Sequence, residues 1–356
     1  VALSLVAETS RSASAAVDRA SPPSPPLPVA SLHADLLSLL TLLYSDTNKL
    51  SIALNPASPT YSAALTPAKD IAKRVGILAS NAASFDPHAH GRTLTKEVHQ
   101  LVKDILSAIR ELAQAHLNLT KDDAQKSKAG KGAAGEEYLV KTAAVHNLIQ
   151  RAKSSGADGL SESNLQAVKK VWDEHGETID DSVFEFKDMV EEGGDEEEDE
   201  EDGWDEGGFD FGSIKINGPQ RKLAETLEGL YKRTFELHEE VSKSMLSSPS
   251  RISPDIPQDA LDLLTEKAST LSYTADELSS RIYCQPEDPS VMELHEVRDE
   301  FADALEDIAK SVDILWNNED KKGVAGKGSS AWFEKQYAEL AKSIRSIEWS
   351  LEDAKT

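Results

Sequence analysis

Apolar residues recur at steps of three and four along most of the chain, which is the spacing of one face of an α-helix. The clearest stripe begins near Thr93 and consists of Leu94, Val98, Leu101, Ile105, Ile109, Leu112 and Leu119. A wider apolar face covers residues 32–54, so we expect this segment at the centre of a helical bundle. Thr66 and Pro67 predict another helix start, because threonine suits the N-cap and proline the first helical position.

The same spacing predicts further helices at residues 136–153 and 161–192, the second of which Gly176 interrupts at a cost of about 1 kcal/mol relative to alanine. Four more are predicted after residue 218, beginning near Pro219, Ala260, Val291 and Ala331. No run of alternating β-branched residues is long enough to predict a strand. The pattern therefore predicts an all-α fold of two antiparallel helical bundles.

Two segments lack this spacing and are predicted to be disordered. Residues 1–29 form an Ala/Ser-rich arm that ends in a proline cluster, which favours extended backbone. Residues 191–206 hold twelve carboxylates and no basic side chain, so this block repels itself. The predicted domains are a disordered arm at 1–29, a five-helix bundle at 30–192, an acidic linker at 193–218 and a four-helix bundle at 219–356.

The charge of the chain limits its ligands. It has 63 acidic against 38 basic residues and a net charge of −25, which argues against direct binding of nucleic acid, since that binding depends on Lys and Arg. The single cysteine, Cys284, excludes an internal disulfide and suggests a reducing compartment. No apolar run approaches the ~20 residues that span a bilayer. We therefore expect an intracellular protein without a membrane partner, and Val1 in the first position suggests a fragment or a processed form.

No catalytic or cofactor site can be assembled from the residues. The GK pair at Lys327 lacks the glycine and the hydroxyl that a phosphate loop requires. His88 and His90, near Asp86, are expected to be exposed loop residues rather than metal ligands, and Cys284 a structural thiol. We expect no enzyme activity, cofactor or metal.

Two positions match the preference of proline-directed kinases for a Ser-Pro or Thr-Pro pair with a basic residue two positions beyond the proline. They are Thr66, with Lys69, and Ser248, with Arg251. Ser248 is the better candidate because it lies between predicted helices, where a phosphate meets little packing. RTL at 92–94 and REL at 110–112 match a docking pattern for cyclins, but the residues that bind a partner stay unidentified.

Several strings together carry a family resemblance: GRTLTK at 91–96, VWDEH at 171–175, FKDMVEE at 186–192, Trp204 within the acidic tract, LSSRIY at 278–283 and AWFE at 331–334. Their order resembles the cyclin-D-binding protein family, also called GCIP, Grap2 and cyclin-D-interacting protein, or Maid homologue. The family is similar in fold to the helical bundles of talin and vinculin.

The resemblance implies a non-enzymatic regulator of the cell cycle and transcription in nucleus and cytoplasm, with a D-type cyclin or a helix-loop-helix transcription factor as partner. No basic region precedes a helix pair, and the leucines form no regular heptad ladder. A protein of this kind would sequester a DNA-binding partner without contacting DNA.

Two other functions stay open. One is a talin- or vinculin-like adaptor that bridges cytoskeletal or membrane proteins. The other is an acidic chaperone whose tract at 191–206 shields basic clients such as histones by charge complementarity.

Overall fold

The computed structural model describes residues 1–19, 21–125, 136–156, 158–192, 218–253, 256–284, 291–316 and 327–347. Within these ranges the regular structure is helical, apart from an isolated bridge between Ile252 and Trp316. This confirms the predicted all-α fold. The predicted acidic linker lies outside the described residues, except for Gly218, which begins a helix.

The chain divides into two compact units, Val1–Ala167 and Val168–Thr356. The helices of the first unit are α1 (Ala2–Val17), α2 (Val29–Ala53), α3 (Tyr61–Ala82), α4 (Pro87–His90), α5 (Arg92–Gln125) and α6 (Glu137–Lys153). The division lies inside α7 (Asn164–Glu192), and the other helices of the second unit are α8 (Gly218–Val241), α9 (Gln258–Cys284), α10 (Val291–Leu315) and α11 (Ser330–Arg345).

The first unit has a core made from the predicted stripes. In α2, Leu36, Leu40 and Leu43 are fully buried, and the stripe of α5 buries Leu94, Val98, Ile105, Ile109 and Leu112 in the same way. The two helices reach this core through different neighbours, because α2 packs on α3 and α6, whereas α5 packs on α1, α3 and α6. The leucine spacing of the sequence therefore gives the core positions of both helices.

The prediction of a disordered arm is wrong for most of residues 1–29. Residues 2–17 form α1, which packs on α3 and α5 and buries Val6, Ala13 and Val17. Alanine has the highest helix propensity, and short side chains let α1 approach its neighbours closely although few large apolar residues mark its buried face. Pro28 keeps the extended backbone expected of the proline cluster.

The predicted start of the second helix at Thr66 is also wrong. Helix α3 begins at Tyr61, and Pro67 lies inside it with a buried ring. The Thr60 N–H donates to the Ala53 carbonyl at 2.7 Å, which ties the start of α3 to the end of α2 about two turns before the proline. Burial of the ring offsets part of the free-energy cost of the backbone hydrogen bond that proline cannot make.

The division of the chain inside α7, rather than at the acidic tract, has a packing reason. Phe186 of α7 contacts Tyr231 of α8 edge to face, with ring centroids 5.2 Å apart. Tyr231 stacks in turn on Phe301 of α10 at 5.4 Å and donates its hydroxyl to the Ala275 carbonyl of α9 at 3.0 Å. Most of α7 thus shares the core of α8, α9 and α10.

A reciprocal pair of buried rings also joins α7 to α8. Trp172 and His238 stack with centroids 3.8 Å apart and planes 3° from parallel. Trp172 Nε1 donates to the His238 carbonyl at 3.0 Å, and His238 Nε2 donates to the Trp172 carbonyl at 2.6 Å. Burial lowers the pKa of His238 to about 4, so the ring is neutral at neutral pH. Gly176, one helical turn after Trp172, lies against the edge of this histidine ring.

No helix in the described part of the chain is long and apolar enough to cross a membrane.

Candidate functional site

A cleft of about 670 Å³ opens in the first unit between the C-terminal half of α2 and the N-terminal half of α3. We call it the α2–α3 cleft and define it by its lining residues: Asp46, Lys49, Ile52, Ala53, Ser58, Thr60, Ala63, Thr66, Pro67 and Asp70. It is open to solvent and is formed by two helices and the loop that joins them.

The connecting loop closes one end of the cleft and is held by local hydrogen bonds. The Asn55 side-chain oxygen accepts from the Ala57 N–H at 3.0 Å, and the Asn55 carbonyl accepts from the Ser58 N–H at 3.0 Å. Such Asx turns stabilise short connections without help from the core. The loop therefore gives the cleft an ordered wall.

Two carboxylates, Asp46 and Asp70, and one cation, Lys49, line the cleft. Asp46 of α2 is 3% exposed and accepts from Arg74 Nε of α3 at 2.6 Å. A buried carboxylate requires a paired cation, and Arg74 supplies it. Lys49 lies 3.7 Å from the other Asp46 oxygen, but its side chain is 62% exposed. Arg74 holds Asp46 more closely than Lys49 does, so the exposed Lys49 ammonium is the cation that the cleft presents to solvent.

An exposed apolar side chain lies beside this cation. Ile52 is 68% exposed and follows Lys49 by three residues on α2, so both side chains lie on the same face of the helix. Thr66 adds an exposed hydroxyl from α3. The cleft thus presents an apolar side chain, a cation and a hydroxyl, a combination that suits contact with a protein partner.

The structure places the two candidate phosphorylation residues in different units. Thr66 lies in the second turn of α3, where its backbone is helical. Ser248 lies between a π-helical segment, Ser242–Leu246, and a 3-10 turn, Pro249–Arg251. The two cyclin-docking patterns are inaccessible in this fold, because Leu94 and Leu112 are 0% and 1% exposed.

The expectation of exposed loop histidines is wrong for His90. Its side chain is buried, and Nδ1 accepts from the Asp86 N–H at 2.9 Å while Nε2 donates to the Leu27 carbonyl at 2.9 Å. Both ring nitrogens therefore hold backbone groups in place. Among the described residues, no group of three or more His, Cys, Asp or Glu side chains converges as a metal site would require.

Sequence reasoning did not find the α2–α3 cleft. Asp46 lies in a leucine-rich helix, and its partner Arg74 follows 28 residues later. The available signal was a carboxylate on the apolar face of α2, which predicts a buried ion pair without identifying the cation.

Residues 35–192 match the family model described as Grap2 and cyclin-D-interacting, N-terminal. The matched range contains all of the α2–α3 cleft and most of the first unit. It confirms the resemblance seen in the residues. No curated protein matches the chain.

Proposed function

Because residues 35–192 match the family model described as Grap2 and cyclin-D-interacting, N-terminal, we propose that this chain is a member of that family and a non-enzymatic regulator of the cell cycle that acts by binding other proteins. Its partner is a D-type cyclin or a helix-loop-helix transcription factor, and it acts in the nucleus and the cytoplasm. The observation that carries this proposal is the match itself, since the family is named for its interaction with cyclin D.

The proposed effect on transcription is indirect. A net charge of −25 opposes contact with the phosphates of DNA or RNA. The protein therefore controls transcription by sequestering a partner rather than by occupying a promoter.

We place the partner on the α2–α3 cleft. The cleft lies within the matched residues and presents Ile52 and Lys49 side by side, which suits a partner helix that carries an apolar residue next to a carboxylate. Apolar anchors surrounded by polar groups contribute most of the binding energy in interfaces of this kind.

The test measures the affinity of the purified full chain for a purified D-type cyclin and for a helix-loop-helix factor by isothermal titration calorimetry. Ile52→Asp and Lys49→Glu should each weaken binding about tenfold or more, which corresponds to about 1.4 kcal/mol. Ile314→Asp is the matched control, because Ile314 is also a helical isoleucine, 60% exposed, but lies in the second unit. It should leave the affinity unchanged.

The outcomes separate the site from the function. If the wild-type chain binds neither partner, the proposed function is wrong. If it binds one and Ile52→Asp binds equally well, the function stands and the cleft is the wrong surface.

The two alternative functions are tested with the same protein. Co-sedimentation with actin filaments would favour the adaptor. Histone binding that disappears on deletion of residues 191–206 would favour the chaperone, whereas cyclin binding should survive that deletion.

A further inference from the structure

The segment around Ser248 differs from the helices on either side of it. Helix α8 ends at Val241, and Ser248 follows the π-helical segment with a non-helical backbone, φ −128° and ψ 79°. Ser247, Pro249 and Ser250 are exposed, and Ser248 is half-buried. Kinases bind their substrates as extended strands, and this segment already departs from the helix at the residue to be modified.

The Ser248 hydroxyl is free to react. The backbone of Ser248 is held on both sides, since its N–H donates to the Met245 carbonyl at 3.0 Å and its carbonyl accepts from the Arg251 N–H at 2.9 Å. Its side-chain oxygen makes no hydrogen bond to any other residue in the described ranges. A modification of the oxygen therefore breaks no side-chain interaction of Ser248.

The basic residue that follows Ser248 has a partner of its own. The Arg251 guanidinium carbon lies 5.8 Å from the centre of the Trp316 ring, a cation–π contact. The neighbouring Ile252 pairs with Trp316, and the Ser253 N–H donates to the Leu315 carbonyl at 3.1 Å. Arg251 thus belongs to a clasp, formed by residues 251–253, on the end of α10.

The other candidate, Thr66, lacks these features. Its backbone is part of α3, and the Pro67 ring is buried in the first unit. A kinase could bind Thr66 as an extended strand only after the first turns of α3 had unfolded and exposed that ring. Only the small fraction of molecules that are locally unfolded in this way would be a substrate.

We propose that Ser248 is a phosphorylation site for a proline-directed protein kinase, and that its phosphate captures Arg251 from Trp316 and so removes the cation–π contact of the clasp on α10. The kinase transfers the γ-phosphoryl group of ATP. The serine oxygen forms a bond to the γ-phosphorus, the bond from that phosphorus to the β–γ bridging oxygen breaks, ADP leaves, and the serine proton passes to the base of the kinase.

The capture follows from the charges and from the turn. A phosphoserine carries close to two negative charges at neutral pH, and a guanidinium binds phosphate through two parallel hydrogen bonds. Ser248 and Arg251 are the ends of one turn, joined by a backbone hydrogen bond of 2.9 Å. The phosphate and the guanidinium therefore extend from the two ends of the same turn, and the phosphate offers Arg251 a charged acceptor in place of the face of the Trp316 ring.

The first experiment treats the full chain with a proline-directed kinase and ATP and maps the phosphate by mass spectrometry. Ser248 should be modified about tenfold faster than Thr66, because Thr66 requires local unfolding. Ser248→Ala should lose this phosphate, and Thr66→Ala should keep it at the wild-type rate. Ser58, which precedes a proline but has no basic residue at the equivalent position, is an internal control that should stay largely unmodified. Modification of Thr66 with Ser248 untouched would overturn the proposal.

The second experiment tests the capture by ³¹P NMR on the chain phosphorylated at Ser248. A bound guanidinium should lower the second pKa of the phosphate below its usual value of about 6, by about half a unit. Arg251→Gln, phosphorylated to completion with a longer incubation, should restore the usual value. A wild-type phosphate that titrates like that of the Arg251→Gln variant would overturn the capture of Arg251. Neither experiment uses a cyclin, so both are independent of the proposed function.

Discussion

Gly176 makes room for the buried histidine of the second unit, and this leads to a sharp prediction for Gly176→Ala. A Cβ atom at this position would lie 2.7 Å from His238 Cδ2 and 3.2 Å from Nε2. The ring cannot easily move aside, because it stacks on Trp172 and donates to the Trp172 carbonyl at 2.6 Å. The substitution therefore forces a shift of a fully buried pair of rings.

The magnitude is the balance of two opposing effects. Alanine gains about 1 kcal/mol over glycine in helix propensity. Overpacking of a core costs about 1–3 kcal/mol, and loss of the histidine hydrogen bond adds about 1 kcal/mol. We expect Gly176→Ala to lower the free energy of unfolding by about 1–3 kcal/mol, although the substitution normally stabilises a helix.

Urea unfolding followed by circular dichroism and tryptophan fluorescence measures the effect. The matched control is Gly229→Ala in α8 of the same unit, where no atom lies within 4 Å of the new Cβ. It should raise the free energy of unfolding by about 0.5–1 kcal/mol.

A double-mutant cycle with His238→Ala identifies the cause. In that background Gly176→Ala has no ring to meet and should be neutral or stabilising. If Gly176→Ala is as stable as the wild type, or destabilises equally with and without His238, the packing argument is refuted.

Three further predictions concern buried polar groups. Arg74→Met should lower the free energy of unfolding by about 2–3 kcal/mol, because Asp46 is left charged and buried, whereas Asp46→Asn should cost less since Arg74 is 25% exposed; urea unfolding of both variants checks the order. The folded-state pKa of His238, about 4, lies below the unfolded value of about 6.5. The contribution of His238 to the free energy of unfolding should therefore fall by about 3 kcal/mol as the pH drops from about 7 to about 4. His238→Gln should remove this part of the pH dependence of the free energy of unfolding. Asn164→Ala should cost about 1 kcal/mol in thermal or urea unfolding, because the Asn164 side-chain oxygen accepts from the buried Leu94 N–H at 3.1 Å and that donor would lose its partner.

The parts of the fold that were predictable from the sequence are those with large apolar side chains at helical spacing. The stripe of α5 and the leucines of α2 occupy the core as predicted. Helix α1 was missed because its interface consists mainly of small residues, which give no apolar stripe. Pro67 misled the prediction because a proline inside a helix and a proline at its start look alike when the preceding residue is a good cap.

The polar features were harder to predict because their partners are distant in the sequence. Gly176 was visible as an irregularity, but its reason is the ring of His238, 62 positions later. Asp46, which lines the α2–α3 cleft, pairs with Arg74 from a different helix. The local sequence pattern identifies a residue that needs a partner, but only the packing of the helices identifies that partner.

The helix at the N-terminus determines which fragment of this protein can be studied by itself. A fragment with the family-matched bounds, residues 35–192, would lack α1 and would end in a stretch of α7 whose Trp172 and Phe186 had lost the rings that cover them. Large exposed aromatic surfaces of this kind drive aggregation. A fragment of residues 1–167 keeps α1 on α3 and α5 together with the whole cleft. Purified alone, it should remain monomeric where the shorter, family-defined fragment precipitates.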